Sequence, residues 1–275
     1  MTYQELWRSL VPTYDPREAQ AIARWVLEVG MGMTTTDIYL GKVSELSADD
    51  HRKLEEIRQR LLNLEPVQYI LGTAEFCGRA FQVQPGVLIP RPETQQLIPM
   101  LAPCTTTPFT LLDIGTGSGC IAITAALEYG QAQVSACDLS AIALEVARKN
   151  ATSLGAHVDF CLQDALHMPH DMAQWDVIVS NPPYICEQER QEMSDNVRLY
   201  EPAMALFVPD DDPLRFYRAI ALYALHALRP QGRLLFEINP YYAATLQQLL
   251  TTMGYSNVTL HDDAFGRCRF ATAHL

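Results

Sequence analysis

Apolar residues recur at helical spacing through the first quarter of the chain. Beyond it they gather into short runs punctuated by glycine. Ala19, Ile22, Val26 and Val29 share one face of a segment with Asp15 as N-cap, Pro16 at its first position and Glu18 placed to complete a capping box; Gly30 is placed to close it. This predicts a helix over 15–30. Leu54, Ile57, Leu61 and Leu64 line a second predicted helix over 47–64, where Ser47 and Asp50 stand in the same capping relation. Residues 1–72 therefore read as a small helical domain, with both stripes as its core.

The pattern changes at 73–90, where aromatic and β-branched residues mix with Gly78 and Gly86; this predicts a β-hairpin linking two domains. From 91 to 275 apolar runs alternate with helical stretches. The expected strands are 110–115, 132–138, 157–163, 175–180, 232–238, 257–261 and 268–273. A helix over 140–155 has Ser140 as its cap and Gly155 as its stop. The fold class is α/β, a doubly wound Rossmann-like sheet ending in an antiparallel hairpin.

Composition narrows the picture. Hydrophobic residues make up 48% of the 275 and charged residues 19%, enough for a packed core and too little charge for disorder. The start, "MTYQELWRSL", is polar and acidic where a signal peptide would be basic and then apolar. The most apolar helical stretch, 219–228, is too short to span a bilayer, so a cytoplasmic location without membrane contact is expected. Seven cysteines, at 77, 104, 120, 137, 161, 186 and 268, form no Cys-x-x-Cys pair and read as reduced core thiols. His167 and His170 lack a third ligand at suitable spacing, and no metal is expected. A net charge of −12 with no run of Lys or Arg argues against a broad nucleic-acid surface.

The candidate chemistry lies at two strand ends. "LLDIGTGSGCIAI" leaves a strand through Gly115, Gly117 and Gly119 into a helix, so backbone can approach a ligand and free N–H groups face it. Asp138 ends the next strand, about 20 residues on, where an acid can accept hydrogen bonds from a ribose. An adenosine-type cofactor fits. The loop after Asp113 suits S-adenosylmethionine, while Gly117-x-Gly119-x-x-Ala122 also satisfies a permissive dinucleotide pattern. "SNPPYI" follows the apolar run 175–180, and as the fourth strand of such a sheet it emerges beside the glycine loop. Pro182 and Pro183 carry no N–H, and each restricts the residue before it. The loop therefore presents fixed oxygen acceptors, with the Asn181 side-chain oxygen as another, and Tyr184 supplies a flat face. Such a surface fits a planar –NH2 group, whether carboxamide or adenine.

With these residues the chain resembles the protein-glutamine methyltransferases that modify peptide chain release factors. "PVQYILG" (66–72) and "VLIPRPET" (87–94) carry the resemblance most specifically, alongside 75–83, 113–123, 180–185, 200–206 and 263–269. The resemblance implies methyl transfer from S-adenosyl-L-methionine to the side-chain amide of the glutamine in the Gly-Gly-Gln motif of class I release factors. It implies cofactor binding by Gly115, Thr116, Gly117, Ser118, Gly119 and Asp138, by Asp164 and Ala165 near the adenine, and by Asn181. Asn181, Pro182, Pro183 and Tyr184 would form the catalytic glutamine pocket, and the helical domain 1–72 would help recognise the substrate. The chain departs from that family at Gln95, where Glu is usual, and at Ala165, where an aromatic is common. Arg91 and Glu93 order the cofactor-side loop or pair the two domains. The alternatives are a ribosomal-protein glutamine methyltransferase, whose relatives carry Ser in place of the Glu-Thr of "PRPET", an adenine methyltransferase on nucleic acid, and a nicotinamide-dependent oxidoreductase, which leaves "NPPY" unexplained.

Overall fold

The computed structural model describes residues 1–102 and 108–275. Cys104 lies outside the described residues. The chain forms two compact units: Met1–Thr73 with Ser194–Tyr200, and Ala74–Met193 with Glu201–Leu275.

The smaller unit is helical. Its long helices are Tyr3–Leu10, Pro16–Trp25 and Ala48–Leu62, and Leu6, Leu27, Leu54 and Leu61 are fully buried among them. Asp15 caps the second helix through Arg17 N at 2.9 Å, not through the box expected with Glu18. That helix ends at Trp25 and passes into a π-turn, Val26–Gly30, which rotates the register and leaves Val29 46% exposed rather than in the core. Leu64 likewise lies past the end of its helix, at φ 66°. Ser47 caps through Asp50 N as expected. The short helix Asp195–Tyr200 belongs to this unit, and the Tyr200 hydroxyl donates to the Asn63 carbonyl at 2.8 Å.

The larger unit holds a seven-stranded sheet: β1 (Phe109–Ile114), β2 (Ala132–Asp138), β3 (Asp159–Leu162), β4 (Trp175–Ser180), β5 (Leu228–Glu237), β6 (Ser256–Asp262) and β7 (Cys268–His274). The spatial order is β6-β7-β5-β4-β1-β2-β3. The first five strands pair in parallel, and β7 is antiparallel to both of its neighbours. β1 and β4 are buried almost throughout, which is why they read as continuous apolar runs. Helices cover both faces. Ile220 and Leu246 pack into one core cluster, Leu97 and Ile121 into the other. Strand edges shift from expectation: β1 lies one residue earlier, β3 is shorter at both ends, β5 starts four residues earlier at Leu228 and ends one earlier, β6 is longer by one residue at each end, and β7 extends to His274.

Of the segment expected as a linker, 73–90, all but Thr73 is part of this unit. The strands Thr73–Phe76 and Arg79–Gln82 join through Cys77 and Gly78, both at positive φ, the geometry of a two-residue hairpin turn. Phe76 and Phe81 are fully buried, meet edge to face at 6.0 Å and sit in the core under the sheet. Among the described residues no helix is long and apolar enough to cross a membrane.

Candidate active site

Strand register assembles the site. Ile114 of β1 lies opposite Cys137 of β2 and Ser180 of β4; Cys137 lies opposite Cys161 of β3, and Ser180 opposite Phe236 of β5. The next residues along, Gly115, Asp138, Asn181 and Glu237, therefore leave the sheet side by side at the carboxyl ends of parallel strands. A cleft opens there, lined by the glycine loop, the Asn-Pro-Pro segment, Asp138, the Gln163–Ala165 turn, Thr94 and Phe216. All of its walls belong to the larger unit.

The three glycines have two jobs. All sit at positive φ, of 77°, 57° and 83°. A Cβ on Gly115 or Gly117 would meet no protein atom within 4 Å, and both line the cleft, so there the missing side chain leaves room for a ligand. A Cβ on Gly119 would lie 2.7 Å from Ile123 Cδ1 and 3.1 Å from Ala147 Cβ, so that glycine serves helix packing. Thr116 donates to Asp113 Oδ2 at 2.7 Å, beneath the loop. Asp113 is fully buried, and desolvation pushes its carboxyl up to about 7. Asp138 accepts from Gly117 N and Ser140 N at 2.8 Å each, so it first braces the loop. Each of its oxygens keeps a second lone pair for a hydroxyl. Burial raises its pKa.

Beyond Asp138, the Asp164 carboxylate accepts from Leu166 N at 2.8 Å and lies 2.7 Å from His167 Nδ1; these bonds hold it below the usual range. Ala165 lies on the wall. Phe216, from the helix Arg215–Ala227, supplies an aromatic face to the same cleft. It precedes the apolar stretch 219–228 noted in the sequence, and no local signal marked it. Arg91 lines the cleft and pairs with buried Glu201 at 2.6 Å, while Glu201 also accepts from Ile89 N. All three residues are in the larger unit, so of the two roles open to Arg91 it orders the loop. Gln95 sits in the 3₁₀ turn Glu93–Gln96, off the cleft wall.

Asn181, Pro182 and Pro183 line the cleft opposite the glycines. Tyr184 departs from its expected place: it is not on that wall, its ring packs against the core, and its hydroxyl donates to Glu237 Oε1 at 3.1 Å. Asn239 holds the turn by donating to the Tyr184 carbonyl at 3.0 Å. Asn181 Nδ2 donates to Thr94 Oγ1 at 3.4 Å, and Thr94 Oγ1 donates to Glu237 Oε2 at 2.6 Å. Thr94 and Glu237 escaped the sequence reading. The one available signal was an acid closing the apolar run "RLLFE". Among the described residues no group of three or more His, Cys, Asp or Glu side chains is placed to share a metal ion.

Comparison with known proteins adds two family matches. The Methyltransferase small domain matches residues 93–206, and the PrmC N-terminal domain matches residues 11–72. A Release factor glutamine methyltransferase of Bacteroides thetaiotaomicron is 47% identical over 268 residues, covering 97% of this chain and 96% of that protein. One of Flavobacterium psychrophilum is 36% identical over 267 residues, covering 95% and 94%. A crystal structure of a methyltransferase from Pyrococcus furiosus shares the fold at a TM-score of 0.54 and 17% identity, spanning 80% of this chain and 98% of that one.

Proposed function

The chain belongs to the release factor glutamine methyltransferases, and from that membership we propose that its cleft transfers a methyl group from S-adenosyl-L-methionine to the side-chain amide nitrogen of the glutamine in the Gly-Gly-Gln motif of class I release factors. The work belongs to the cytoplasm, where translation terminates. The donor would rest on the loop Gly115–Gly119, with Thr116 and Ser118 between the glycines, Asp138 accepting from its hydroxyls, and Asp164, Ala165 and Phe216 along its flat end. The open space over Gly115 and Gly117 fits such a group. When bound, it supplies a methyl carbon on a positively charged sulfur.

The substrate nitrogen is a poor nucleophile, because its lone pair is delocalised into the carbonyl. The Asn181 side-chain oxygen takes one amide proton as a hydrogen bond and points the nitrogen along the cleft. Pro182 and Pro183 withhold competing N–H donors and keep that rim rigid. Tyr184 acts from behind the rim through Glu237, not as a stacking face. Alignment of two reactants in this way can supply up to roughly 7–11 kcal/mol. Transfer of the methyl would leave the S–C electron pair on the donor's sulfur, which would depart neutral, and the amide nitrogen would shed its proton to water.

The observation that carries this proposal is the shared register of β1 and β4, which sets the Asn-Pro-Pro rim against the glycine loop in one cleft. Incubation with labelled donor, a release factor, a large-subunit ribosomal protein and DNA, followed by mass spectrometry of the Gly-Gly-Gln peptide, tests it. Methylation of that glutamine is expected; label on the ribosomal protein or DNA in its place overturns the assignment. Asn181→Ala is expected to lower turnover about 100-fold or more, the scale for loss of a preorganised polar group. Calorimetry should find donor affinity far less affected.

A further inference from the structure

Asn181 is useful as an acceptor only if its oxygen, and not its NH2, faces the cleft. The two ends of a carboxamide are nearly the same size, so packing alone chooses poorly between them. Hydrogen bonding chooses well, and the structure holds a chain of such bonds with a definite polarity.

The chain starts at Glu237, buried at the carboxyl end of β5. One of its carboxyl oxygens accepts from the Tyr184 hydroxyl at 3.1 Å, the other from the Thr94 hydroxyl at 2.6 Å. Arg269, which pairs with Asp263 at 2.9 Å, brings its guanidinium to 4.0 Å from Glu237 Oε1. Burial raises the Glu237 pKa, while the Thr94 and Tyr184 hydroxyls and the Arg269 cation oppose that shift; the carboxylate they favour has oxygens that only accept. Thr94 has a single hydroxyl proton, and it points at Glu237. What its oxygen offers Asn181 is a lone pair. The Asn181 NH2 must then face Thr94, and Oδ1 is left for the cleft.

We propose that Thr94 and Glu237 are positioning residues that set which end of the Asn181 carboxamide faces the substrate. This rests on the acceptor role given to Asn181 above. Neither residue needs to touch the reacting atoms: Glu237 acts on Thr94, and Thr94 on Asn181.

The test separates orientation from mere structural support. Thr94→Val keeps the shape and removes the hydroxyl. It should lower kcat about tenfold, the effect of one lost hydrogen bond, with KM for the release factor and the donor Kd within about twofold. Thr94→Ser restores the hydroxyl and should rescue kcat. Glu237→Gln offers Thr94 an NH2 as well as an oxygen, so it should scramble the polarity and lower kcat similarly. Because the two act in series, the double variant should fall no further than either single one, within about twofold. A Thr94→Val enzyme with wild-type kcat, a parallel loss of donor affinity, failure of Ser to rescue, or additive losses would each overturn the proposal.

A second measurement does not depend on the substrate. In a ¹⁵N spectrum the Asn181 NH2 pair is the one missing from Asn181→Ala. Its hydrogens should exchange about tenfold faster in Thr94→Val, as the donated bond is lost. Unchanged exchange would defeat the inference even if the release factor is methylated. Faster exchange with no methylation of the release factor would leave the orientation standing and defeat the function proposed above.

Discussion

Gly117 and Gly119 are two positions apart, yet a methyl group on each should fail differently. Both sit at positive φ, where any Cβ costs about 1–2 kcal/mol. On Gly117 the added carbon projects into open cleft. Gly117→Ala should therefore lose only that strain, about 1–2 kcal/mol in denaturant unfolding, while its donor affinity falls about tenfold or more, read by calorimetry. On Gly119 the carbon collides with Ile123 and with Ala147 of the neighbouring helix. Gly119→Ala should lose about 2–4 kcal/mol in denaturant unfolding, from strain and overpacking together. Equal behaviour of the two would refute the division of labour. The same contrast shows what a sequence can disclose. Asn181-Pro182-Pro183 was legible because its chemistry is local: two missing N–H groups beside one amide. Thr94 and Glu237 were not, because they lie 143 residues apart and meet only where the turn Glu93–Gln96 packs on the carboxyl end of β5. Phe216 reaches the cleft from just before the apolar stretch 219–228, where no local signal marked it.

Asn150 shows how neighbouring elements are locked together. It is fully buried in the helix Ala141–Leu154, an unusual place for a carboxamide. Its oxygen accepts from Gln82 N at 2.7 Å, and its nitrogen donates to the carbonyls of Gln82 and Ser118. One side chain thus ties the hairpin strand Arg79–Gln82 and the glycine loop to one helix. Asn150→Ala would leave the Gln82 N–H and carbonyl and the buried Ser118 carbonyl without that partner, at a cost of about 2 kcal/mol. The unfolding midpoint should drop accordingly, and donor affinity should weaken several-fold as the loop loosens; an unfolding free energy within about 0.5 kcal/mol of wild type would contradict this. Elements governed by local rules were readable in advance. The runs at 132–138 and 175–180 match their strands to the residue, and Ser140 and Gly155 bound their helix. The π-turn at Val26–Gly30 was not readable, since helical spacing continues straight through it. Nor was the packing of the hairpin: burial of Phe76 and Phe81 depends on the sheet beneath them.

The two units keep separate cores, and the cleft draws its walls from one of them alone. Donor binding should therefore stabilise the units unequally. At 100 times Kd a ligand of the native state contributes about 2.7 kcal/mol. Hydrogen exchange read by mass spectrometry should show that protection over residues 109–123 and 175–180, with residues 1–73 unchanged; equal gains in both would contradict it. The α/β class and the closing antiparallel hairpin were visible in the alternation of runs, but the assignment of residues 194–200 was not. Residues 194–200 carry no compositional mark, and only their contacts assign them to the helical unit.

That excursion constrains inheritance. The polypeptide quits the sheet-bearing unit at Ser194, contributes Tyr200 to the helices, and comes back at Glu201. A gene fusion that swapped only the first 73 codons would import a foreign helical body while retaining the old tyrosine meant for Asn63. Transplanting this module intact calls for exchanges at two separate places in the reading frame, so the halves of the enzyme are expected to have descended as a single lineage rather than by shuffling.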